Sequence, residues 1–189
     1  MTLGRSMLAA LALGLASGMT PTAQAAQLDF DLSDKAARFD YLFKLTDTGL
    51  SGNVNLLHHE DDGDLLALGV VLVGDAAEGK EPLTAGLGLR AIIIDANVAG
   101  DGTGLAIGGF VRYVFPDFNR FALGGDAYIA PSVTSFGDLN RYFEYSLRGE
   151  YRLTKNAGMY LGAREVQGDF GFGNTTIDDG LFVGISLEF

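Results

Sequence analysis

The last nine residues alternate strictly: Leu181, Val183, Ile185, Leu187 and Phe189 share one face, while Phe182, Gly184, Ser186 and Glu188 share the other. Period-2 alternation marks a strand with one face in an apolar phase. The same pattern recurs upstream. Leu28, Phe30 and Leu32 oppose Gln27, Asp29, Asp31 and Ser33; Phe39, Tyr41, Phe43 and Leu45 oppose Arg38, Asp40 and Lys44; Leu50, Gly52, Val54 and Leu56 oppose Ser51, Asn53 and Asn55. Segments at 65–74, 83–95, 103–115, 120–130, 139–153, 157–166 and 180–189 bring the number to about ten. The count is even, and most segments approach the length of about 9–11 residues that a tilted strand needs to cross a bilayer. The expected fold is all-β: a closed antiparallel up-and-down transmembrane barrel of about ten strands, with eight as the alternative.

A chain-terminal Phe behind such a face resembles the last strand of bacterial outer-membrane barrels, and the resemblance implies that barrel-assembly machinery reads it. The other end agrees with export. Arg5 gives a positive start, Met7 to Ala16 is a short apolar stretch, and Ala23-Gln24-Ala25 places small residues where a signal peptidase reads them. Residues 1–25 are therefore expected to be a secretory leader cleaved between Ala25 and Ala26, with 26–189 forming the barrel. The apolar run ends at Ser17-Gly18, short of the ~20 residues a spanning helix needs.

Composition excludes several classes. Without cysteine there is no disulfide framework and no thiolate metal site. A formal charge of −11 argues against nucleic acid or anionic headgroups as partners. The expected surroundings are outer-membrane lipid and the assembly machinery, with the chain monomeric because closure removes sheet edges. No cofactor is expected.

Placing both termini in the periplasm makes Thr46-Asp47-Thr48, Pro116 to Asn119 and Thr154-Lys155-Asn156 short inner turns. Pro131 to Leu139 and Gln167 to Asp179 become long outer loops, whereas Ser33 to Ala36 and Asp75 to Pro82 fit the rule badly. Phe43, Tyr113, Phe115, Phe121, Tyr151 and Phe189 fall beside the inner turns; Tyr128, Tyr142 and Phe143 are expected near the outer rim. Rings gathered at two interfaces suit a lipid-facing wall.

Strand parity puts Asp29, Asp31, Arg38, Asp40, Lys44, Arg90, Arg112, Asp126, Glu144, Arg148, Glu150, Arg152, Arg164 and Glu188 on the face away from lipid. Charges withdrawn from bulk water persist when paired, so the expectation is an ion-paired plug, with a narrow polar pore as the alternative. The acidic excess should lie in loops: Glu60 to Asp64, Asp101, Asp138, Asp169 and Asp178-Asp179 outside, and Asp75, Glu78 and Glu81 inside. Only His58 and His59 could act as a catalytic base, and no spacing sets either beside a nucleophile. An enzyme is not the expectation.

Gly104-Leu105-Ala106-Ile107-Gly108-Gly109 leading to Tyr113 and Pro116, then Gly124-Gly125-Asp126-Ala127-Tyr128-Ile129-Ala130-Pro131, and finally Asp179-Gly180-Leu181-Phe182-Val183-Gly184, resemble the YfaZ family of outer-membrane proteins in order and placement. The resemblance implies a Gram-negative outer-membrane barrel and carries no catalytic residue to this chain. The expected role is a structural barrel or a narrow small-solute channel. One departure favours a rival. Leu65 to Val73 and Ile92 to Ile94 are apolar on both faces, which suits a filled interior or a soluble periplasmic barrel holding a small apolar ligand.

Overall fold

The computed structural model describes residues 26–75, 83–97, 99–171 and 173–189. The leader through Ala25 lies outside the described residues, as do Glu78 and Glu81 of the inner connection; Ala26 opens the first strand. Eleven strands follow: β1 (Ala26–Leu32), β2 (Ala36–Lys44), β3 (Leu50–His59), β4 (Gly63–Asp75), β5 (Leu83–Ala96), β6 (Gly100–Val114), β7 (Phe121–Ala130), β8 (Ser135–Gly137), β9 (Arg141–Arg152), β10 (Ala157–Asp169) and β11 (Asn174–Glu188). Every pairing is antiparallel between neighbours in the chain, apart from a small detour at β8, and β1 pairs with β11 to close the ring. Ten strands make the wall. The eleventh, β8, only flanks the outer end of β6 through Gly102–Gly104.

Closure brings the two ends of the described chain together. The Ala26 amide donates to the Phe189 carbonyl at 3.3 Å, and the Phe189 amide donates back at 2.9 Å. That end also carries the turns after β2, β6 and β9; it is the inner, periplasmic end in the frame set by the termini. Gly49, at φ +92°, makes the turn between β2 and β3, where its left-handed backbone suits a residue without Cβ.

Alternation decides which face meets which phase. The outer surface carries Leu72, Leu87, Leu161, Leu181, Val183 and Ile185, each more than half exposed to the surroundings. On the same strands the neighbouring residues point in and are buried, polar ones included. This is the reverse of a water-soluble protein, and it is the form a barrel takes when its solvent is hydrocarbon. Phe115, Phe121 and Phe189 lie exposed near the inner end, where Phe121 and Tyr151 pack with ring centres 4.9 Å apart. Rings at that level belong to an interfacial girdle.

Three expectations are corrected. The segment from Gln167 to Asp179 is not a long loop: β10 and β11 stay paired out to Asp169 opposite Asn174, so only residues 170–173 turn the chain. A bulge at Val166/Gln167 shifts the register, and both Ile177 and Asp178 are buried there. Asp178 is therefore an interior carboxylate, not a solvated loop acid. Finally, Tyr128 and Tyr142 do not join an outer girdle. Both rings point inward and are about 1% exposed, whereas Phe143 faces out.

Candidate functional site

The interior divides into two zones along the barrel axis. The outer half is apolar: Leu57, Leu65, Ile92, Ile94, Tyr142 and Val166 pack together, with Leu139 and Phe170 from the outer connections folded in over them. These side chains are at most about 3% exposed, so among the described residues no water-filled bore runs through that half. The runs that are apolar on both faces, Leu65 to Val73 and Ile92 to Ile94, supply much of this zone. Their outward residues meet lipid and their inward ones meet each other.

Below it lies a layer of buried ion pairs. Glu144 on β9 reaches across the barrel to the Arg38 guanidinium on β2 and lies 3.5 Å from Arg90 on β5. The Tyr142 hydroxyl donates to the same carboxylate at 2.7 Å. Arg164 on β10 is held by Asp178 and by Asp31. A step further inward, Arg148 pairs with Asp29 at 2.6 Å and with Glu150 at 2.9 Å, and Glu150 also accepts from Arg112 at 2.7 Å. Arg38–Glu144, Arg90–Glu144, Arg164–Asp31, Arg148–Asp29 and Arg112–Glu150 each join strands that are distant in the chain. Parity alone placed these residues on the inner face; it could not choose partners.

Asp40 and Asp126 differ from the rest. Asp40 accepts hydrogen bonds from the Asn53 and Asn55 side-chain amides at 2.8 and 2.6 Å, and Asp126 accepts one from Ser146. Neither forms an ion pair within 4 Å among the described residues. They lie on β2 and β7, five strands apart in either direction around the ten-strand wall.

Inward aromatic rings complete the layer. Arg90 lies 3.6 Å over the Tyr128 ring, Arg148 4.7 Å over Tyr160, and Arg164 4.9 Å over Phe182. Each guanidinium thus has an anion in its plane and a π-face beneath it, which offsets part of its lost hydration. The rings fit because glycines on neighbouring strands leave room. A Cβ on Gly184 would stand 2.4 Å from the Tyr160 ring, and one on Gly108 2.6 Å from the Tyr128 ring. Alternation places Gly184 and Phe182 on the inward face but does not pair glycine with ring; an inward Gly beside an inward aromatic on the paired strand is the signal that does.

Under the ion-pair layer the barrel opens. A cavity of about 120 Å³ is lined by Asp29, Asp40, Asn53, Asp126, Tyr128 and Arg148 among others, and reaches down to Gln27 and Glu150. A second, of about 30 Å³, continues to Arg120, Lys155 and Glu188 at the inner rim. None of the apolar side chains that fill the outer half at Leu57, Leu65, Ile94 or Tyr142 lines either cavity. The interior is a vestibule that opens inward.

The remaining candidates lie at the outer rim. His58 Nδ1 donates to the Asp64 carboxylate at 2.6 Å, and the His59 ring nitrogen accepts the Asp61 and Asp62 amides at 3.3 and 3.0 Å. Among the described residues neither imidazole bonds a serine hydroxyl, and no cluster of three metal-ligating side chains occurs. Lys35 pairs with Asp61 at 2.6 Å, and its hydrogen bond and charge hold the Asp61 carboxyl below its usual range.

Comparison with known proteins agrees with this architecture. The family described as "YfaZ precursor" matches residues 5–189. The outer membrane protein YfaZ of Escherichia coli K12 is 28% identical over 144 residues, covering 75% of this chain and 76% of that protein. Among solved structures, the KdgM porin in complex with disordered oligogalacturonate is 12% identical with a TM-score of 0.45, covering 87% of this chain and 99% of its own. A chain from work on in-meso crystallisation of membrane proteins is also 12% identical, with a TM-score of 0.46 and coverage of 88% and 83%. With the family matched almost end to end, and the strands closed into a ten-membered barrel whose wall is apolar outside and ion-paired within, the chain belongs to the YfaZ family and is an outer-membrane β-barrel protein.

Proposed function

We propose that the protein is a non-conducting structural barrel, closed toward the cell exterior and open toward the periplasm. The observation that carries this reading is the apolar packing of the outer half, from Leu57 and Leu65 through Ile94 and Tyr142 to Leu139. Ions entering from the inner mouth would meet a layer of paired charges and then close-packed hydrocarbon. A bare ion faces a desolvation cost of many kcal/mol in such a medium. The ion pairs in turn tie β2 and β5 to β9 across the lumen, and β1 and β11 to β10, so the interior braces the wall. The protein acts as a monomer, delivered by the barrel-assembly machinery that reads the strand ending at Phe189.

Osmotic swelling of proteoliposomes tests the reading. Vesicles carrying the folded protein should shrink and stay shrunken in isotonic arabinose or glycine, as protein-free vesicles do. Swelling that rises with protein content would support the narrow-channel alternative and overturn the closed barrel.

A further inference from the structure

We propose that the inward-opening vestibule is a binding site for a small organic cation, with a primary ammonium group seated against Asp126. Charge comes first. Among the described residues, seven carboxylates, Asp178 among them, stand at the level of the larger cavity and the ion-pair layer above it, against five guanidiniums; the cations of the inner rim, Arg120, Arg152 and Lys155, lie a step below, with Glu188. Two negative charges are left over, and the two acids without an ion-pair partner are Asp40 and Asp126.

Hydrogen-bond accounting points the same way. Asp126 Oδ1 is taken by Ser146, but its Oδ2 has no partner. Asn53 is about 4% exposed and must turn its Nδ2 to Asp40, which fixes its Oδ1 as a free acceptor; Asn55 is in the same position. The Tyr128 hydroxyl is also unpartnered. Asp126, Asn53 and Tyr128 all line the one cavity. Buried acceptors left unfilled are costly, and the group that fills one at Asp126 while cancelling its negative charge is a cationic N–H donor. Arg90 Nε and Arg164 Nη2 lack acceptors too, yet both guanidiniums lie stacked on rings, over Tyr128 and Phe182. The two carboxylates without a cation, Asp40 and Asp126, decide for a cation over an anion. The cavity's roughly even mix of polar and apolar lining, with Leu42, Val71 and Phe110 on its walls, suits a short alkyl chain behind the charged head.

The test uses three probes of matched size: n-butylammonium, n-butanol and butyrate. Each is titrated by calorimetry into the folded protein in detergent micelles at constant ionic strength. Butylammonium should bind saturably, and the neutral and anionic analogues should not. Asp126→Asn keeps the shape and removes the charge, and it should weaken butylammonium about tenfold or more. Retained gel mobility of unboiled samples checks folding. Should Asp126→Asn fail that check, Tyr128→Phe takes its place, with a loss of about threefold or more expected. No binding of butylammonium, equal binding of butanol or butyrate, or unchanged affinity in the variant that folds would each overturn the proposal. Binding needs only the inner opening, so it can fail while the swelling result stands, and the reverse.

Discussion

Glu144 is the position at which the interior can be broken with one atom. It is about 2% exposed and serves two arginines and a tyrosine hydroxyl. Substituting Gln keeps the volume and still offers an oxygen to Tyr142, so only the charge is lost. What remains is a pair of buried guanidiniums, Arg38 and Arg90, with their shared counter-ion gone. At an effective dielectric near 20, a unit pair at the 3.5 Å separating Arg90 from Glu144 is worth roughly 5 kcal/mol before desolvation. Asp40 and Asp126 still act on Arg38 through space and recover part of that. Removing one member of a buried pair costs about 3–5 kcal/mol, and Glu144→Gln should fall in that range. Equilibrium urea unfolding in lipid vesicles, followed by circular dichroism and by the mobility of unboiled samples, reads it out. A loss under about 1 kcal/mol for Glu144→Gln would refute the view that this carboxylate holds the lumen together.

Other positions test the remaining parts of the account. At the outer rim, Asp95 stands directly opposite both Asp64 and Asp101 in the register; Asp95→Asn should raise unfolding free energy by roughly 0.2–1 kcal/mol, read from the same urea transitions. Gly184→Ala should destabilise by about 1–3 kcal/mol, because its Cβ would meet the Tyr160 ring at 2.4 Å and the Phe30 carbonyl at 2.6 Å. Gly149→Ala, whose nearest contact would be 4.0 Å away, is the control and should change little. Leu161→Arg puts a charge on the lipid face in mid-strand and should cost about 2–4 kcal/mol in vesicles.

The sequence carried the wall well and the interior unevenly. Alternation is a local, one-strand property, so Leu181 to Phe189 could be assigned to the lipid face without knowing any partner. The same parity put Arg38, Asp40, Arg90, Arg112, Asp126, Glu144, Arg148, Glu150 and Arg164 on the inner face, where the structure also has them. Which acid meets which arginine depends on register and barrel shear, and those are properties of the closed ring. Arg38 and Glu144 are 106 residues apart, and nothing local links them. Asp178 was assigned to a loop because its segment, up to Asp179, reads as a polar, Gly-rich connection; only the pairing with β10 extends the strand to Asn174, and its parity with Phe182 then turns Asp178 inward. Tyr128 and Tyr142 were misread for a related reason. Aromatic position along a strand was weighed above its parity, while parity alone would have turned both inward beside Asp126 and Glu144.

Planar-bilayer recording tests the central claim most directly. The folded protein, added to a lipid bilayer in 1 M-scale salt, should produce no resolved conductance steps. Trimming the outer packing with Tyr142→Ala and Ile94→Ala together should introduce steps, because it removes side chains that fill the half beyond the vestibule. Stable, ohmic steps from the unaltered protein, unchanged by that pair of substitutions, would contradict a barrel closed by its apolar outer half.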